Sequence, residues 1–225
     1  MPFMKQEKPN LAKYPIVPGS QISVEKDTDL YVSTGGVSFV EGDLLEITIP
    51  HARLYKVGEP VKLTVYSSKG FQTLNSSVIA VDDDVLTLLN PPDHQQLTSR
   101  RNYPRIKVDD TGRICSLRKS LDGAELLDEP RSFELLNLSL GGVGFSLNDA
   151  GGLLKGRIID IEMDLINGIV PCTAEIIRMQ ILEEGRFYIG AQIIGMEREH
   201  RNALRGYILR HQLDKRAKER KYENM

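Results

Sequence analysis

Cysteine is almost missing from this chain. Cys115 and Cys172 are the only two, too few for a disulfide framework or a four-ligand zinc site. Both sit in apolar, strand-like context, where a free cysteine acts as a small hydrophobe, and a reducing cytoplasm is the expected setting. No apolar run reaches the roughly 18 residues that a membrane span requires. Met1 to Pro18 lacks the apolar segment of a secretory signal. The four histidines, His51, His94, His200 and His211, are scattered with no metal-ligand spacing, and no Gly-x-Ser-x-Gly elbow occurs. No nucleophile has a visible base, so the chain is not expected to be an enzyme. A large net charge is also missing. The formal balance is −2 over 225 residues, which argues against a coat for long nucleic acids. Residues 1–92 hold 8 basic and 11 acidic side chains, while residues 93–225 hold 21 and 20. Anion-binding potential is therefore local, in the second half.

Short alternating apolar runs dominate what is present. Residues 1–18 carry prolines 2, 9, 15 and 18 among polar neighbours and read as an extended lead-in. Ile22 and Val24, then Leu45, Ile47 and Ile49, then Val61, Leu63 and Val65 alternate with polar residues. Asn75 to Val81 and Val85 to Leu89 flank Asp82-Asp83-Asp84, a turn signal without the further acidic ligands of a calcium loop. Five or six short strands at this spacing predict a small barrel or sandwich. Pro91-Pro92-Asp93-His94-Gln95-Gln96 ends the rhythm, and the stretch through Ser99 reads as an interdomain linker. Seven further strand-like runs follow, with Asn167-Gly168 as the sharpest hairpin signal, and predict a second antiparallel barrel. From Glu197 the period turns helical, with Leu204, Tyr207, Ile208 and His211 on one stripe. A short stripe of this kind favours a helix packed on the barrel over a membrane-surface helix. The tail from Asp214 is highly charged and is expected to fray.

Two motifs stand out. Arg100-Arg101-Asn102-Tyr103-Pro104-Arg105 packs three guanidinium groups into six residues on the expected hinge. Guanidinium forks grip phosphate and the O6/N7 edge of guanine in a way that lysine cannot, and Tyr103-Pro104 stiffens the turn between Arg101 and Arg105. Asn137-Leu138-Ser139-Leu140-Gly141-Gly142 supplies an amide, a hydroxyl and a backbone opened by glycine. It is not a P-loop, because no Lys-Ser/Thr follows and a strand replaces the helix. Together the two motifs suit a small, doubly charged guanine nucleotide.

In combination, Arg101-x-x-x-Arg105 and Asn137-x-Ser139-x-x-Gly142 resemble the signature of the PilZ domain, a bacterial six-stranded barrel that binds cyclic di-GMP. The resemblance covers roughly residues 97–215, and residues 18–92 more loosely resemble the N-terminal domain of YcgR-type flagellar brake proteins. It implies a mainly β fold of two small antiparallel β-barrels, an N-terminal split-barrel-like domain and a C-terminal PilZ barrel, with a C-terminal α-helix. The implied organisation is a tail at 1–17, the YcgR-like barrel at 18–92, a linker at 93–99, the PilZ domain with its helix at 100–215 and a charged tail at 216–225. Carried over by residue, Arg101 and Arg105 would bind phosphate and guanine edges. Asn137 and Ser139 would hydrogen-bond the second guanine and nearby phosphate, and Gly142 would leave room for the base, with Gly141 beside it also among the expected ligand-binding residues. Arg100 matches a position where arginine favours an intercalated ligand dimer. Two departures stand out. The 31 residues between Arg105 and Asn137 are many, with Arg118 to Glu129 expected as an extended hairpin loop. Asparagine also replaces the commoner aspartate, keeping an acceptor and losing a charge. The implied role is a cytoplasmic cyclic di-GMP effector acting in motility, on a flagellar motor or stator component, or in biofilm formation, on a polysaccharide synthase. Alternatives are a single-stranded RNA-binding barrel, which needs an aromatic stacking platform, and a scaffold whose ligand site has decayed.

Overall fold

The computed structural model describes residues 16–26, 31–67, 70–90, 103–120, 123–182 and 185–223. Arg100, Arg101, the 93–99 linker and the Pro91-Pro92 boundary lie outside the described residues, as do residues 1–15 of the tail. The chain divides into two compact units, Met1–Thr98 and Ser99–Met225.

The first unit is a closed barrel of six antiparallel strands: β1 (Gln21–Lys26), β2 (Val32–Glu41), β3 (Leu44–Thr48), β4 (Pro60–Ser67), β5 (Gly70–Asp82) and β6 (Val85–Leu89). Their order is β1-β2-β3-β6-β5-β4, and β4 closes the ring on β1, with Val24 opposite Leu63. Alternation works as the sequence predicts. Ile22, Val24, Leu45, Ile47, Val61, Leu63, Leu86 and Leu88 are buried inside, each contributing about 1.5–3 kcal/mol relative to exposure. The acidic triplet turns β5 into β6, with Asp83 at φ 44°. Two features depart from the sequence reading. Ile16, assigned there to the tail, is buried in this core. β2 is a strand that the sequence conceals, because Gly35 and Gly36 break its pattern. A Cβ on Gly35 would lie 2.0 Å from the Thr48 carbonyl oxygen, so this glycine marks the close approach of β3 and not a turn.

The second unit contains seven strands: β7 (Ile106–Lys107), β8 (Thr111–Ser120), β9 (Gly123–Ser139), β10 (Gly142–Leu147), β11 (Ile158–Leu165), β12 (Gly168–Ile181) and β13 (Phe187–Gly195). The sheet runs β10-β13-β12-β11-β8-β9-β7, and β9 also pairs with β10, so six strands close a barrel and β7 extends one edge of β9. The hairpin near Asn167-Gly168 is present, with Leu165 opposite Gly168, so Ile166 and Asn167 form the turn. The segment expected as an extended loop is instead ladder. Leu117 pairs with Glu125 and Ser120 with Gly123, so β8 and β9 continue almost to the turn. Inside, Phe133 and Phe145 meet at 4.3 Å between centroids, among Leu135, Val143, Ile161 and Ile189.

Helix α1 (Arg198–Glu223) lays Leu204, Tyr207 and Ile208 into this core. Tyr207 also donates a hydrogen bond to Asp110 Oδ2. The helix continues through Glu223, past the point where the sequence suggests fraying. Lys215 and Arg216 both pair with Glu219, at 3.6 Å each, the i,i+4 and i,i+3 spacings that support a helix face. No helix among the described residues is long and apolar enough to cross a membrane.

Candidate functional site

The second motif forms the tight hairpin between β9 and β10. Ser139 pairs with Gly142, and Leu140-Gly141 is the two-residue turn. Ser139 is buried, and its Oγ donates to the Gly142 carbonyl oxygen at 3.2 Å. Its hydroxyl proton therefore clamps the turn, leaving the oxygen lone pairs to accept. Gly142 is required by the scaffold itself, because a Cβ there would lie 2.7 Å from the Ala191 carbonyl oxygen on β13. At Gly141 a Cβ would meet Tyr103 Cδ2 at 2.8 Å, so the Tyr103 ring rests against the turn's backbone.

β7 then pairs with the end of β9, Ile106 opposite Leu138 and Lys107 opposite Asn137. This pairing holds Arg105 at the mouth of a cleft of ≈ 480 Å³ whose walls include Tyr103, Ser139, Gly141, Gly142, Arg178 and Tyr188. Four of the residues singled out in the sequence, Arg105, Ser139, Gly141 and Gly142, thus line one concavity. Asn137 lies beside it, with its Nδ2 3.4 Å from the Tyr188 hydroxyl oxygen. Arg100 and Arg101 are outside the described residues.

Arg178 and Tyr188 carry no sequence motif, and cross-strand register brings them here. Lys107 opposes Asn137, Asn137 opposes Gly144, Gly144 opposes Gly190 and Gly190 opposes Arg178. Opposed residues share a face of the sheet, so two glycines cut a trough between the amide and the guanidinium. A Cβ on Gly144 would lie 2.5 Å from Asn137 Nδ2 and 2.6 Å from the Tyr188 hydroxyl. The Asn137 amide and the Tyr188 hydroxyl thus occupy the space that a side chain at 144 would take. A bulge beside Arg178 shifts the strand's phase and turns both Ile177 and Arg178 outward.

Arg105 and Arg178 are exposed and make no hydrogen bond or ion pair among the described residues. By contrast, Arg113 holds Glu162, Arg118 holds Asp160 and Arg186 holds Glu134. Two guanidinium forks without a partner among the described residues, beside exposed Lys107, give this cleft a local positive charge. Among the described residues, no group of three His, Cys, Asp or Glu is placed to hold a metal ion.

A second cleft of ≈ 490 Å³, lined by Cys115, Asp160, Glu162, Met196 and His200 among others, has the opposite character. Burial acts to raise the Asp160 pKa, but bonds from Ser116, Thr173 and Arg118 outweigh it and hold the carboxyl below its ordinary value. Burial pushes the Cys172 thiol up to about 12 and also raises Cys115, so neither is a reactive thiolate near neutral pH.

The family comparison bears on the same half of the chain. Residues 99–210 match the model of the PilZ domain. No curated protein matches the chain. Among solved structures, it is similar to the Bacillus subtilis inhibitor of motility MotI/DgrA, at 16% identity and a TM-score of 0.44, over 89% of this chain and 100% of that one. It is likewise similar to Escherichia coli YcgR in complex with c-di-GMP, at 15% identity and a TM-score of 0.40, over 92% and 89%. The isolated PilZ domain of that protein with c-di-GMP gives 22% identity and 0.40, over 55% and 99%. Through residues 99–210, the half that folds around the cleft, this chain belongs to the PilZ family.

Proposed function

We propose that the protein is a receptor for cyclic di-GMP, binding it without turnover in the Arg105–Arg178 cleft and passing the signal to an effector partner. The observation that carries this reading is that Arg105, beside the Ser139–Gly142 hairpin, and Arg178, across Gly144 and Gly190 from Asn137, line or border one cleft with no ion-pair partner among the described residues. A cyclic dinucleotide carries two phosphates and two guanine edges, and the cleft meets each with a matching group. Arg105, with Arg100 and Arg101 from the preceding segment, takes phosphate and the O6/N7 side of guanine. Asn137 offers an acceptor to the N–H side of the other base, Ser139 holds the turn and accepts through its oxygen, and Gly141 and Gly142 keep the backbone low. Each charge-assisted bond contributes about 1.5–3 kcal/mol. Membership of the PilZ family supports the same ligand class.

The output follows from where the arginines sit in the chain. Ligand held by Arg100 and Arg101 on one side and the barrel on the other orders the segment joining the two units, and so favours one arrangement of them over others. The partner is then a flagellar motor or stator component or a polysaccharide synthase, met in the cytoplasm. Isothermal titration of the wild type, Arg101→Ala and Ser139→Ala with cyclic di-GMP tests the site. Binding is expected in the wild type and strongly weakened in both variants, and unchanged binding in both overturns the assignment. A decayed scaffold predicts no effect on melting, whereas ligand at a hundredfold over its Kd adds about 2.7 kcal/mol.

A further inference from the structure

We infer that Tyr188 and Asn137 act as one hydrogen-bonding unit that reads a guanine edge, with Tyr188 supplying the donor and Asn137 the acceptor. This rests on the cleft being the cyclic di-GMP site. Asn137 Nδ2 faces the Tyr188 oxygen at 3.4 Å, long for a hydrogen bond and free to tighten around a ligand. In this orientation the Tyr188 oxygen accepts, so its O–H proton stays available. Asn137 Oδ1 is likewise left as an acceptor. The reverse amide orientation would direct the Tyr188 proton into Oδ1 and present only N–H, which the N–H edge of guanine cannot accept. An O–H donor beside a C=O acceptor matches guanine, whose O6 acceptor neighbours its N1–H donor, and mismatches adenine, which reverses the order.

The scaffold holds the two groups together. A Cβ at Gly144 would lie within 2.5–2.7 Å of both ends of the Asn137 amide and of the Tyr188 hydroxyl, so both lie against that glycine's backbone. Gly190 lies under the tyrosine ring, where a Cβ would touch Cε1 at 3.6 Å. The pair also answers why asparagine serves here. A carboxylate at position 137 would draw the tyrosine proton to itself and withhold it from the ligand, whereas the amide leaves that proton for the base.

The experiment is titration of the full chain with cyclic di-GMP in the wild type, Y188F, N137D and the N137D/Y188F double variant, with melting curves to confirm folding. Phenylalanine keeps the ring and removes only the hydroxyl. Y188F is expected to weaken binding about tenfold, the equivalent of one hydrogen bond, with an unchanged melting temperature. In the N137D background, where the proton is already engaged, the same change is expected to cost threefold or less. N137D alone is expected to retain binding, because it keeps an acceptor. The unit is overturned if Y188F binds within twofold of wild type, if the tyrosine change costs the same in both backgrounds, or if N137D binds nothing. Failure of the wild type to bind overturns the ligand reading and this inference with it, whereas wild-type binding with a silent Y188F overturns this inference alone.

Discussion

The second barrel treats its arginines in two ways. Around β8 and β11, Arg113 and Arg118 lie against Glu162 and Asp160, and Arg131 donates to the Gly151 carbonyl oxygen near the following loop. On the β9-β10-β13-β12 side, Arg105 and Arg178 face a cleft with no carboxylate among its lining residues. The side chains and the barrel are the same, and only the neighbours differ. A paired arginine joins strands and is neutralised, whereas an unpaired one keeps its full charge and all five donors for something that arrives. The first barrel repeats the lesson from the other direction. A surface pocket of ≈ 420 Å³ on the first barrel contains Arg53, but Asp83 is bonded to it. Two closed six-stranded barrels therefore stand in one chain, and a site is legible on the one that leaves guanidinium groups open, which is how function separates from fold.

The comparison breaks most easily at Arg105. Arg105→Ala is expected to weaken cyclic di-GMP binding a hundredfold or more, since two charge-assisted bonds at about 1.5 kcal/mol each already reach that factor. Arg113→Ala, on the paired side, is expected to leave binding within twofold. Equal losses by titration calorimetry would show that net charge matters and open forks do not. Arg178→Ala should fall between them, about tenfold weaker, because it stands alone on its wall.

Gly144→Ala sharpens the same contrast without touching charge. Its Cβ would collide with both Asn137 and Tyr188, displacing the proposed reading pair while both arginines remain. Binding is expected to drop at least tenfold, with a melting loss of only a few degrees. Wild-type affinity in this variant would mean that the trough takes no part in recognition.

On the paired side the readout is stability. The Asp160 carboxyl is held below its ordinary pKa despite partial burial, because Ser116, Thr173 and Arg118 all bond to it. A folded pKa below the unfolded value of about 3.9 gives stabilisation that is present above about pH 4 and lost as pH falls through the folded value. Asp160→Asn should therefore melt a few degrees lower than wild type at pH 7, with the gap closing below about pH 4. A gap that persists into acid would assign the effect to packing.

How much of this was readable beforehand depended on whether the information is local. Strand alternation, the Asp82-Asp83-Asp84 turn and the Leu204-Tyr207-Ile208 stripe are local, and the barrels follow them. The arginine and asparagine motifs are local too, and β7 pairing with β9 brings Arg105 beside the hairpin of Ser139 and Gly142. Arg178 and Tyr188 were not readable. They reach the cleft through the register of β12 and β13, and a bulge beside Arg178 shifts the phase that alternation would assign. Gly144 and Gly190 carry no local signal of their own, and their part emerges only when the register of β10 and β13 sets them opposite each other. β2 was hidden by the same kind of glycine, and the end of α1 by charges that read as a tail until they pair along the helix.

The smallest effect concerns how the helix is fastened to the strand pair that carries Arg105. Tyr207 donates to Asp110, just after β7, and the Asp110 carbonyl oxygen accepts from the Leu135 amide on β9 at 2.8 Å. The helix thereby reaches the strand pair that sets Arg105. Burial, followed by the hydrogen bond to Asp110, raises the Tyr207 pKa. A folded pKa raised above the unfolded value of about 10 gives stabilisation that is full below pH 10 and is lost as pH rises further, because the unfolded chain then releases a proton that the folded one keeps. Tyr207→Phe should therefore cost about 1 kcal/mol at pH 8, the value of one hydrogen bond. The difference from wild type should shrink as denaturant midpoints are followed from about pH 9 to pH 11. A difference that stays constant over that range would mean the ring, packed 4.5 Å from His211, holds the helix without help from its hydroxyl.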